Sequence, residues 1–268
     1  MRTLFTLLAI SLMAVHHGRC QGPVSGFMPG ARATDLALAY AHDSYDTYLF
    51  GGEPREQPVT TQSVNFFAEH GFSPHFSVLA TLPYLWIDEN NRGMQDASLY
   101  MKYRNLHRKR SAGSWNLITG LGLTFPLSNY ATDTENPIGQ KAVFFHGRLT
   151  AQYRFYSGFF IMGQSGFDFR LLPEAQWGIP VQLRLGWGAG RFYADGWLEI
   201  LQSLNAGVDE NIQGGAGSSW IRLGGTGYYE LLKNLGLVVQ LAFIVRGENI
   251  GLSSRYGTGL VLKLRSGN

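Results

Sequence analysis

Charged side chains fall on alternate positions through much of this chain. Between 145 and 155 one parity reads Phe145, Gly147, Leu149, Ala151, Tyr153, Phe155, and the other reads His146, Arg148, Thr150, Gln152, Arg154. A strand sends successive side chains to opposite faces, so this segment has one apolar face and one charged face. Following the polar parity along the chain collects the cations Lys102, Arg104, Arg148, Arg154, Arg170 and Arg184, and further on Arg222, Arg255 and Lys263. The acids on that parity are Glu69, Asp168, Asp195 and Glu199. Gathered inside a narrow passage, an excess of cations favours anionic or carboxylate-bearing solutes and concentrates field there. For any single residue a simpler role competes: opposed Arg and Asp or Glu on neighbouring strands can neutralise one another and hold the wall's shape. Aromatic residues share the same face, namely Phe67, Tyr100, Phe160, Tyr193, Trp197, Trp220 and Tyr228. Trp197 and Tyr228 are the candidate stacking surfaces for a ring-bearing solute, alongside arginine. Filling of the interior is the rival role for each.

Catalytic patterns are scarce. There is no His-Glu-x-x-His and no Gly-x-Ser-x-Gly, and His42, His70, His75, His107 and His146 lack ligand-like spacing. No catalytic residue, metal or cofactor is therefore expected. Gly186-Trp187-Gly188-Ala189-Gly190 lacks the strand-to-helix setting of a nucleotide loop. Glycine in a barrel strand more often permits bending or close packing of a ring. A barrel enzyme acting on lipid or lipopolysaccharide stays as the alternative, as does a sealed structural barrel. The enzyme would need Ser and His together on the lipid side near the outer rim, whereas His146 has the inward parity and Ser165 lies at mid-depth.

The elements that must position these residues are strands of a closed sheet. The chain has 268 residues, 15% charged, with 34 glycines and a net charge of +3. That excess is too small for nucleic acid, and no dense basic face appears. Residues 1–20 read as a signal peptide: Arg2 gives the positive start and Leu4 to Val15 a short apolar core. Cleavage after Cys20 is the expected outcome, with a lipid anchor on Cys20 as the alternative. Residues 21–33, with Pro23 and Pro29, read as an irregular periplasmic lead-in, and 34–268 as the barrel.

The alternation predicts about twelve strands, each near the 9–11 residues that a tilted strand needs to cross a bilayer. Their spans are 34–45, 60–71, 75–87, 95–106, 114–126, 142–156, 158–171, 179–188, 190–202, 218–230, 235–246 and 252–265. Long polar connections at 46–59, 127–141 and 203–217 alternate with tight turns, the asymmetry of an outer-membrane barrel. On the apolar parity, aromatics such as Tyr84, Trp86, Trp115, Phe125, Phe159 and Trp187 gather near strand ends, while Leu121, Leu149 and Leu183 fill the middles. Such girdles mark the two membrane interfaces. The fold expected is all-β, a single transmembrane antiparallel up-and-down β-barrel in the outer membrane of a Gram-negative bacterium. Its partners would be outer-membrane lipids, a small-molecule solute and the barrel-assembly machinery. About eight strands give a filled interior and 16–18 an open channel, so twelve imply a slender, partly obstructed passage.

Three segments carry a resemblance. The first is Gly93-Met94-Gln95-Asp96-Ala97-Ser98-Leu99 leading to Lys102-Tyr103-Arg104. The second is Gly122-Leu123-Thr124-Phe125-Pro126-Leu127-Ser128-Asn129-Tyr130 followed by Ile138-Gly139-Gln140, and the third Ala80-Thr81-Leu82-Pro83-Tyr84 after Glu69-His70-Gly71-Phe72. In these the chain resembles the outer-membrane proteins grouped under the meta-pathway of phenol degradation, distant relatives of the long-chain fatty-acid channels. The resemblance implies a β-barrel that passes small hydrophobic or aromatic compounds. No separate N-terminal plug like that of the fatty-acid channels is expected.

Overall fold

The computed structural model describes residues 24–87, 91–132, 137–204 and 217–265. The expected signal peptide lies outside them. In chain order the strands are β1 (Ala33–Phe50), β2 (Glu53–Gly71), β3 (Phe76–Trp86), the short β4 (Arg92–Met94), β5 (Asp96–Lys109), β6 (Gly113–Pro126) and β7 (Val143–Phe155). They continue as β8 (Phe159–Leu172), β9 (Gln176–Ala189), β10 (Phe192–Ser203), β11 (Ser219–Leu232), β12 (Leu235–Glu248), the short β13 (Ile250–Gly251) and β14 (Ser254–Arg265). The long strands form a 12-stranded closed antiparallel barrel. Sequence neighbours are neighbours in the wall, and β1 closes it by pairing with both β2 and β14. Closure leaves no free edge across the barrel's girth and satisfies the backbone without water, the condition for crossing lipid with strands.

The faces sort by parity. Leu149, Leu183 and Leu185 are 51%, 54% and 61% exposed on the exterior, while Lys102 and Arg184 are 0% and 2% exposed within. An exterior of leucines this extensive would be untenable in water. A charge on that face at mid-membrane depth would cost about 2–4 kcal/mol. Aromatic pairs sit toward the strand ends: Trp115 lies 5.0 Å from Tyr153 near one rim, and Phe169 stacks on Trp177 at 4.1 Å near the other.

One end of the barrel carries the tight turns, including Tyr156–Gly158, Gly190–Arg191 and Lys233–Asn234. Gly158 at φ 96° and Asn234 at φ 75° supply the left-handed backbone that such reversals need. This is the turn end, and the opposite one is the loop end.

The expected loop at 46–59 is a correction. β1 and β2 run on as a hairpin through Phe50 and Glu53, closed by Gly51-Gly52 at φ 57° and 90°. Polar composition suggested a loop there, but strand pairing needs only matched backbones and a turn that twists the right way.

Candidate functional site: the barrel interior

The interior is built in two halves. Toward the turn end it is packed. Phe160 and Tyr193 stack at 5.8 Å, and Tyr228, Val238, Val261 and Met162 close the same buried cluster. Glycine makes room for rings: a Cβ on Gly236 would come within 2.2 Å of the Tyr228 ring.

The segment before β1, expected as an irregular periplasmic lead-in, runs inside this packed half. Val24, Phe27 and Met28 are buried inside the barrel. The Phe27 ring meets Phe160 edge-on at 5.3 Å and Tyr193 at 6.3 Å. The Val24 carbonyl accepts from Gln164 Nε2 at 2.7 Å, the Phe27 carbonyl accepts from Lys102 Nζ at 2.8 Å, and Gly26 N–H donates to Met162 Sδ at 3.3 Å. Gly120 permits the closest approach, since a Cβ there would lie 2.9 Å from a Val24 methyl. Residues 24–28 thus form a strap that climbs from the turn end to the middle of the wall. The signal was present in the sequence: Val-Ser-Gly-Phe-Met carries no charge, which suits an interior better than open water.

Most of the expected cations are held in ion pairs. Lys102 meets Glu69 at 2.9 Å with both side chains buried, and Ser77 Oγ donates to the same carboxylate at 2.8 Å. Arg184 meets Asp195 at 2.7 Å, and the Tyr193 hydroxyl donates to that carboxylate. Arg148 reaches Asp168 at 2.5 Å, Arg222 reaches Glu199 at 2.5 Å, and Arg255 reaches Asp43 at 2.7 Å. The expected cationic wall is therefore largely neutralised. Asp43 and Asp35 were missed as inward acids; Asp35 receives Arg265 at 2.6 Å. Their parity was readable, because Asp35, Ala37, Ala39, Ala41 and Asp43 alternate with Leu36, Leu38 and Tyr40.

The remaining expected residues divide. Arg170 is 1% exposed and donates to the Glu174 carbonyl and to Gln140, binding connections at the loop end. Arg104 and Arg154 are half-buried near the turn end. Lys263 stands 4.4 Å from the centre of the Tyr228 ring. Tyr228 and Trp197 are buried at 2% and 7% exposure, so they pack the interior and offer no open face to a solute.

The loop-end half holds cavities. One of about 350 Å³ is lined by Phe144, Leu201 and Trp220, with Thr124, His146, Asp168, Gln140 and Gln176 along its polar side. A second, of about 450 Å³, also counts Leu201 and Trp220 in its lining. Trp220 was among the inward aromatics, but the sequence did not distinguish it from buried neighbours. Arg222 lies 4.7 Å from its ring centre and 5.5 Å from that of Trp197. Gln140, in the connection between β6 and β7, helps to wall the first cavity. Tyr130 anchors that connection by donating to Asp96 at 2.5 Å and accepting from Lys141 N–H at 2.7 Å. Burial, and then the bond to Asp96, hold the Tyr130 phenol well above its ordinary pKa, so this anchor stays protonated at neutral pH.

On the cavity wall His146 is stacked between Phe144 and Tyr100, at 5.7 and 5.4 Å. Its Nδ1 bonds Asp168 at 2.5 Å and its Nε2 bonds Thr124 at 2.9 Å. The order carboxylate–imidazole–hydroxyl is that of a hydrolytic relay. Catalysis of that kind also needs free N–H donors for an oxyanion. Here the neighbouring backbone is committed to the β6–β7 and β7–β8 ladders, and Arg148 is committed to Asp168 and two carbonyls.

The fold recurs among solved outer-membrane proteins. An outer-membrane channel from Pseudomonas putida F1 superposes with a TM-score of 0.70 at 12% identity, covering 92% of this chain and 100% of that one. The NanC porin gives 0.58 at 8% identity over 85% and 100%, and the KdgM porin 0.56 at 11% over 85% and 99%. No protein-family model and no curated protein matches the sequence.

Proposed function

We propose that this barrel sits in the outer membrane of a Gram-negative bacterium, turn end toward the periplasm, and admits small aromatic or hydrophobic solutes through its loop end. The observation that carries this reading is the pairing of an apolar-lined cavity of about 350 Å³ with a strap that fills the passage below it. Ion pairing removes most of the drive for anions, so the cargo favoured is apolar and ring-bearing rather than charged. The resemblance to the phenol meta-pathway proteins in the three quoted segments supports the same cargo. The likeness to channels and porins supports a conduit over an enzyme.

Swelling of liposomes that contain the purified barrel tests the conduit. Uptake of small aromatic solutes above protein-free liposomes is the expected result, and no flux of any solute would remove the reading. Trp220→Ala is expected to weaken binding of an aromatic solute between about twofold and tenfold, the range of one ring–ring contact. Isothermal titration in detergent checks it. Unchanged affinity would move the binding site away from Trp220.

Glu199→Gln tests the neutralisation. It leaves Arg222 with its ring contacts and no carboxylate, so any residual ion current should shift toward anions. The reversal potential across a KCl gradient reads this directly. A potential identical to the parent's would mean that Arg222 does not face the ion path.

A further inference from the structure

We propose that the turn end carries a binding surface for anionic phospholipid headgroups, centred on Arg108, Lys109 and Arg110. All three side chains are exposed, and none enters an ion pair found among the described residues. Their placement is set by a bulge. Along β5 and β6 the partners run to Arg104 opposite Ile118, then resume at Leu106 opposite Leu117. The extra residue inverts the parity of everything after it. Without it Arg108 would share the inward face of Lys102. With it Arg108 stands on the outer face directly opposite Trp115.

The neighbours are those of a membrane interface. Trp115 is 45% exposed and Tyr156 65%. The Tyr156 hydroxyl donates to the Arg110 carbonyl at 2.9 Å, which ties the cationic turn to the next one. Aromatic rings of this kind settle at headgroup depth, and long cations beside them extend their charged ends to the phosphates. Three exposed cations on a ring-lined rim suit a headgroup held in its own leaflet rather than a free anion.

Charge is also sorted between the two ends. The turn end adds exposed Arg32, Arg191 and Lys233. Among the described residues there, Glu230 is the acid outside the ion pairs of the interior. At the loop end, among the described residues, exposed Asp46, Glu53, Glu56, Glu174 and Glu248 outnumber exposed Arg55, Arg92 and Arg246. Solvation alone gives no reason to separate the signs by end; an anionic surface against one end does.

The test uses the full barrel in nanodiscs of mixed phosphatidylglycerol and phosphatidylcholine, with retained lipid counted by native mass spectrometry. Parent protein should retain phosphatidylglycerol preferentially, and Arg108→Ser with Arg110→Ser should lower that preference by about fivefold per cation removed. Arg55→Ser with Arg92→Ser, at the other end, should leave it unchanged. Equal retention of the two lipids by the parent overturns the proposal. So does an unchanged preference in the turn-end variant, or loss of it in the loop-end one. Displacement of the lipid by millimolar inorganic phosphate would assign the surface to soluble phosphate and overturn it likewise. A barrel that enters no nanodisc would overturn the membrane reading and this proposal together, whereas insertion with equal retention overturns the proposal alone.

Discussion

A chain that begins at Pro29, lacking Val24 to Met28, should conduct ions and swell liposomes several-fold faster than the parent. The strap is the material between the loop-end cavities and the turn end. Phe27 fills the centre of the packed cluster, and Val24 sits against Leu79 and Tyr100. Its removal leaves a space bounded by Phe160, Tyr193 and Lys102, which water can enter because Lys102 and Gln164 lose their carbonyl partners. A narrower change separates occlusion from anchoring. Phe27→Ala empties one ring's volume while keeping the backbone bonds, and should cost about 3 kcal/mol of unfolding free energy. Its conductance should rise far less than the deletion's. Planar-bilayer recording of both variants beside the parent settles the matter. Parent-like conductance in the deleted chain would show that the path for ions avoids the strap altogether.

The same segment shows where reading from sequence reached its limit. Every long strand was legible, because a half-buried wall imposes a period of two and each strand carries its own copy of the signal. Which face is which was also legible, since charge and leucine cannot exchange places across a wall in lipid. What parity does not carry is register. Arg255 and Asp43 lie 212 residues apart in sequence, yet they face each other because β14 closes onto β1. A list of inward cations therefore overstated the field, as their partners are fixed only by closure. The strap escaped for a related reason. It makes no ladder, so no period marks it; its sign was a lack of charge in a segment assumed to be wet. The bulge in β5 is the third case. One extra residue turned Arg108 outward, and nothing in the local composition announces it.

The largest stability effect among single substitutions is expected at Asp195. Its pair with Arg184 sits where side-chain exposure is 1% and 0%, with Tyr193 donating to the same carboxylate. Burying two such ions is costly, and their attraction and hydrogen bonds only roughly repay the loss of water. The pair is therefore a weak source of net stability and a strong constraint. Asp195→Ala removes one ion and leaves the other, so a guanidinium remains in a low-dielectric interior with no carboxylate. The expected cost is about 3–5 kcal/mol. Asp195→Asn keeps an acceptor for Tyr193 and should lose somewhat less. Replacing both partners, with Arg184→Met and Asp195→Leu, removes the stranded charge and should return most of the loss. Denaturant unfolding of the four proteins, followed by tryptophan fluorescence in the same detergent, gives the comparison. If the double variant is as unstable as Asp195→Ala, the cost comes from lost packing rather than from an uncompensated ion. The same logic then fails for Lys102 and Glu69, whose pair is as deeply buried and also holds the strap through the Phe27 carbonyl.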